Sequence, residues 1–208
     1  MARSSWRRRI ACGAGVCVFL AATGAARAHA QGMPGSSARV TVRQDADERG
    51  RFGDYVNDLV GFWALFGIAA RSTYDQAVKE PDGWDDDSEG FGKRVASNAG
   101  RRFVQESVHH GLAAAMGRTT DYRPCGCSGF GPKLGSALLG AVTDFDESGR
   151  RMFSVPQIAG NYAGAFAPLL WLPEDDADAG KALINGTTAI LFTAAGNFLL
   201  TEVMGFGR

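Results

Sequence analysis

Histidine, cysteine and net charge are what this 208-residue chain has least of: it holds 3 His and 4 Cys, and its 22 Lys and Arg are balanced by 22 Asp and Glu. The shortage of His excludes a helical di-iron centre, which needs two Glu-x-x-His motifs where this chain has one. Without a surplus of clustered cations, a nucleic-acid partner is excluded as well. No G-x-S-x-G elbow, phosphate-binding loop or H-E-x-x-H motif occurs. No run alternates apolar and polar residues in the way a membrane barrel strand does, and no period of repetition points to a solenoid.

What the chain has in excess is glycine, 28 residues, about twice the usual share of roughly 7%. With 45% hydrophobic residues there is enough apolar material for a core, which excludes wholesale disorder.

The first thirty residues form a secretory signal. Arg7, Arg8 and Arg9 precede an uncharged stretch over 10–26, and Ala28-His29-Ala30 supplies the small residues a signal peptidase accepts. The apolar stretch is too short and too diluted by Gly13, Gly15 and Gly24 to serve as an anchor, so cleavage is expected after Ala30. The segment carries five Arg and no acid, so removing it leaves 17 basic against 22 acidic residues. Residues 31–50 mix Gly, Pro, Ser and charges and are expected to be a flexible arm. The rest, 51–208, is expected to be one helical domain.

Five helical segments are expected in it. The first covers about 52–79 and is apolar on every face over 59–70, so protein or lipid must cover it. The second, about 91–116, carries one apolar stripe behind an acidic loop over 82–89. Shorter pieces follow at 134–142 and 157–171, on either side of a polar turn over 144–151. The last, about 179–203, has twenty uncharged residues but is diluted by Asn and Thr, which predicts a buried or interfacial helix in preference to a membrane span. Gly131 with Gly135 and Gly160 with Gly164 have the small-xxx-small spacing at which helix backbones approach closely. The fold class is therefore all-α, a Gly/Ala-rich bundle of about five helices.

Two constellations carry chemistry. Glu106-Ser107-Val108-His109, followed by His110, puts a carboxylate and imidazoles on one helix. With Cys125 and Cys127 they form a candidate metal set (Glu106, His109, His110, Cys125, Cys127) of a kind that suits zinc. Alternatively, Cys125 and Cys127 in an oxidising compartment make a strained disulfide, or a thiol-redox pair, or remain two free thiols. Asp144-Phe145-Asp146-Glu147-Ser148-Gly149 matches half of a calcium loop, but Val155 stands where the bidentate Glu belongs.

Asp121-Tyr122-Arg123-Pro124, Gly160-Asn161, Pro173, Asn197 and Glu202 stand in an order that resembles an uncharacterised family of exported bacterial helical proteins with a D-P-R-Y motif, here with Tyr and Pro exchanged. The resemblance implies no activity. It implies export, a helical fold and a buried polar network of Asp121, Arg123, Asn161 and Glu202. The functional expectation is an exported cell-envelope protein, a non-enzymatic, membrane-associated bundle whose partners are the membrane or other envelope proteins. The alternative is a small periplasmic metal-binding or thiol-redox protein.

Overall fold

A computed structural model describes residues 50–205 of the chain. The expected signal segment 1–30 and all but the last residue of the expected arm 31–50 lie outside the described residues. Residues 50–60 form a helix, α1, which ends at Gly61. Gly61 adopts an extended conformation, and its N–H bonds Asn57 O at 2.7 Å. A β-carbon there would lie 2.4 Å from that same carbonyl, so only glycine fits the break. The single helix expected over 52–79 is thus two, with α2 at Phe62–Ala77.

Next come α3 (Ser88–Ala115), α4 (Phe130–Gly140), a hairpin of β1 (Thr143–Phe145) and β2 (Arg151–Phe153), α5 (Val155–Phe166) with a 3₁₀ turn at Ala167–Leu170, and α6 (Ala179–Gly196). A π-helical stretch, Asn197–Val203, continues α6. The molecule is mostly helical, an all-α bundle with five helices after α1. Helix starts follow their caps. Asp87 accepts from Gly90 N, Ser154 from Gln157 N, and Asp178 from Gly180 N and Lys181 N, each satisfying donors of a first turn. The polar turn over 144–151 contains two three-residue strands paired Thr143 to Phe153 and Phe145 to Arg151, too short to leave a pattern in the sequence.

The helices pack in a row, α2 on α3, α3 on α5, α5 on α6, with α4 against α6 and its π-helical extension. Neighbours run antiparallel. Ser107 meets Tyr55 and Asn98 meets Ser72, so α1 and α2 descend as α3 rises. Gly160 faces His109 while Gly164 faces Arg101, so α5 descends again. At one end the loop after α2 is fastened by Arg94, which is 1% exposed. Its guanidinium donates to the carbonyls of Glu80, Asp85 and Trp84 and to Gln76 Oε1 at 2.8–3.2 Å. Asp176 accepts there from the backbone N–H groups of Asp82 and Gly83, tying this loop to the one before α6.

The distribution of side chains inverts that of an ordinary soluble domain. All eight hydrophobic residues buried among the described residues are alanine, while Arg94, Glu106, His109, Asn161 and Glu202 are buried beside them. The large apolar side chains point outward, with Phe62 at 72%, Phe192 at 69% and Leu170 at 80% exposure. In the run over 59–70 only Ala64 is buried, and the large side chains Phe62, Trp63, Leu65 and Phe66 stay exposed although α2 packs on α3. Likewise α6 is not the buried helix that one expectation held. Ala179–Val203 is long and apolar enough to cross a membrane, yet only 11% of its most apolar stretch is buried. Close backbone packing of Gly at the helix contacts, as at Gly160 and Gly164 against α3, goes with both features.

Candidate metal centre

Glu106, His109 and His110 sit on the third to last turns of α3. Residues three and four apart share a helix face, so Glu106 meets both imidazoles: its Oε2 lies 3.6 Å from His109 Nδ1 and 3.9 Å from His110 Nε2. One donor atom from each residue falls within 4.8 Å of the others, and Glu106 and His109 are buried. From α1, Asp58 presents Oδ2 to His110 Nε2 at 3.1 Å. Tyr55, one turn earlier, bonds Ser107 at 2.9 Å and stacks edge-on against the His110 ring. Arg102 closes the other side. Its Nε donates to the Asp58 carbonyl at 2.6 Å and its Nη2 lies 3.5 Å from Glu106 Oε1.

The hairpin adds Asp144, 8% exposed, whose Oδ2 has no hydrogen-bond partner. Burial raises its carboxyl above the usual value, opposed by a hydrogen bond from Ser154 and by the charges of His109 and Arg118. On the far side of His109, Gly160 brings α5 so close that a β-carbon would sit 2.9 Å from His109 Cβ. Two imidazoles and a pair of carboxylates in a largely buried cluster can hold a borderline divalent metal or pass a proton.

The cysteines do not join this cluster. Cys125 and Cys127 are disulfide-bonded to each other, so neither offers a thiolate. The loop after α3 carries them to a second polar cluster around Glu202, whose Oε1 accepts from Tyr122 Oη at 2.6 Å and from Cys125 N at 2.9 Å. Lys133 Nζ donates to the Glu202 carbonyl, and Tyr122 also bonds Ser136 at 2.9 Å. The expected metal set therefore divides, with Glu106, His109 and His110 together and Cys125 and Cys127 apart.

The polar network implied by the resemblance is not assembled either. No hydrogen bond or ion pair joins Asp121, Arg123, Asn161 and Glu202. Asp121 and Arg123 are exposed, and the Arg123 guanidinium lies over the Phe145 ring at 4.7 Å. Asn161 is fully buried on α5, where its Oδ1 accepts from Gln157 at 3.4 Å. The residue of that tetrapeptide that turns inward is Tyr122, because Gly140 leaves room for its ring.

Asp58 and Arg102 escaped the sequence reading. The one signal for Asp58 was its position three residues after Tyr55, which places both on one helix face. The chain matches no protein-family model, no curated protein and no solved structure.

Proposed function

We propose that this is an exported, non-enzymatic cell-envelope protein whose helical bundle is embedded in a membrane, with lipid covering α6 and the aromatic face of α2. The observation that carries this reading is the inverted side-chain distribution, with small and polar residues inside and Phe62, Leu65, Phe66, Leu191 and Phe192 outside, each more than half exposed. In water such a surface is costly, at about 25 cal/mol per Å² of apolar area left exposed, and contiguous patches of it mark membrane or protein contacts. Acyl chains suit it better than a protein partner does. Small residues set the helix contacts, as in bilayer proteins where apolar side chains gain nothing by turning inward. The 25 residues of Ala179–Val203 extend roughly 37 Å, which exceeds a hydrocarbon thickness of about 30 Å. The Arg-rich, then apolar, then Ala-His-Ala start of the chain supports export.

Fractionation of cells expressing the full chain tests the proposal. The expected result is recovery in the membrane pellet, resistance to high-salt and alkaline washes, release by detergent, and a mature N-terminus at Gln31. Release by salt alone, or a soluble oligomer in detergent-free buffer, would overturn the membrane reading. An N-terminus that still begins at Met1 on cytoplasmic protein would overturn export.

A further inference from the structure

Four candidates stand out in the molecule: the cleft between α2 and the start of α6, the Glu202 cluster, the outward apolar faces, and the buried Glu/His cluster. The last of these carries an inference furthest. We propose that Glu106, His109 and His110, closed over by Asp58, form a binding site for one divalent transition-metal ion of the zinc class. The site is independent of whether lipid surrounds the bundle.

The first argument is the state of Glu106. Glu106 is 6% exposed; its Oε1 pairs with Arg102 at 3.5 Å, while its Oε2 faces the ring nitrogens of His109 at 3.6 Å and His110 at 3.9 Å. Oε2 thus stands between two imidazole nitrogens, each farther off than the roughly 2.7–3.2 Å of a hydrogen bond, a spacing that a cation would bridge.

The second argument is geometric. Zinc binds imidazole nitrogen and carboxylate oxygen at about 2.0–2.2 Å, and a tetrahedral arrangement at that bond length spaces the donors roughly 3.3–3.6 Å apart. The three donors lie within 4.8 Å of one another and already approach that spacing at two of three edges, so rotamer adjustments suffice to close the set. The third argument is donor chemistry and charge. Asp58 Oδ2, 3.1 Å from the same His110 Nε2 that faces Glu106, can complete the set as a fourth ligand. The carboxylates of Asp58 and Glu106 offset a dication. The alternative metal set, which would draw on Cys125 and Cys127, is closed off by their disulfide.

The test is metal titration of the full-length protein, purified in the detergent that extracts it, stripped with a chelator and offered Zn²⁺ or Co²⁺. One ion per chain is expected by elemental analysis, with Co²⁺ giving visible ligand-field absorption and Zn²⁺ displacing it. His109→Ala and His110→Ala should each abolish stoichiometric uptake, and Asp58→Asn, which removes a charged ligand, should weaken it by about 10-fold or more. Cys125→Ser with Cys127→Ser should leave it unchanged. Glu106→Gln keeps shape and volume, so loss of metal with unchanged helical circular dichroism separates ligation from misfolding. Substoichiometric uptake by the wild-type chain, uptake indifferent to both His substitutions, or loss of metal in the double Ser variant alone would each overturn the site.

Discussion

Asp146 shows how much one carboxylate can organise. Its Oδ1 accepts from Ser148 N, Ser148 Oγ and Arg150 N at 2.6–2.9 Å, while Oδ2 takes the Arg150 guanidinium at 3.0 Å. The half calcium loop in the sequence is therefore the interior of a hairpin turn, with the oxygens of its central acid already committed to backbone and Arg150. The Ser148 hydroxyl, followed by the Arg150 backbone N–H, holds the carboxyl well below its ordinary value of 3.8. A depressed folded-state value means that the ionised form is favoured by folding. Its stabilising contribution is then present above pH 3.8 and is lost as pH falls below that toward the folded-state value. Asp146→Asn should accordingly accelerate amide exchange over residues 143–153 at neutral pH and converge with wild type in strong acid. An exchange difference that persists unchanged into strong acid would rule out this account. Residues whose partners lie close in sequence were legible in this way: Glu106, His109 and His110 share a helix face by spacing alone. Asp58 and the cysteines were not, because their neighbours are set by how α1 and the loop after α3 fold back over the bundle.

At the scale of elements, the two small-residue pairs behave differently, although their spacing is identical. A β-carbon on Gly160 would meet Gln105 O at 2.8 Å and His109 Cβ at 2.9 Å, and one on Gly164 would meet Gln105 Cβ at 2.7 Å. On Gly131 and Gly135 it would meet nothing within 4 Å. The first pair is the contact between α3 and α5; the second lies on an open side of α4. Gly160→Ala and Gly164→Ala should each destabilise by about 1–3 kcal/mol through overpacking. Gly135→Ala should be neutral or stabilise by up to about 1 kcal/mol through helix propensity. Thermal melts of the detergent-solubilised variants check this, and equal shifts at Gly160 and Gly135 would contradict it. Helices were legible because apolar runs announce them locally. The break at Gly61 and the three-residue strands of the hairpin were not, since they interrupt or fall below any readable period, and the π-helical end of α6 was not because it depends on a distant contact: Glu202, in the wide π turn, is held by Tyr122 from a loop 80 residues away.

For the whole molecule, the decisive quantity is which way the large apolar side chains face, and composition does not determine that. The sequence shows that 59–70 and 182–201 need covering; packing on α3 and α5 takes up their small residues, Ala64, Ala182, Gly186 and Ala194, and leaves their large apolar side chains exposed. Tryptophan fluorescence can locate the cover. Beyond residue 30 the chain has Trp63, Trp84 and Trp171. Trp63 lies among Phe62 and Phe66 on the outward face of α2 and is 47% exposed. Trp84 lies in the loop held by Arg94, with its carbonyl accepting from Nη2 at 3.2 Å, among the charged groups at the end of the bundle. In vesicles of phospholipid brominated along the acyl chain, protein retaining only Trp63 should be strongly quenched, and protein retaining only Trp84 should be quenched weakly. Since bromine quenches only on close approach, that difference would place hydrocarbon against α2 and water or headgroups against the acidic loop. Equal quenching at the two positions would mean the charged loop enters the hydrocarbon too, which its acids make prohibitive. No quenching of Trp63 would instead mean that another protein surface, and not lipid, covers the aromatic face.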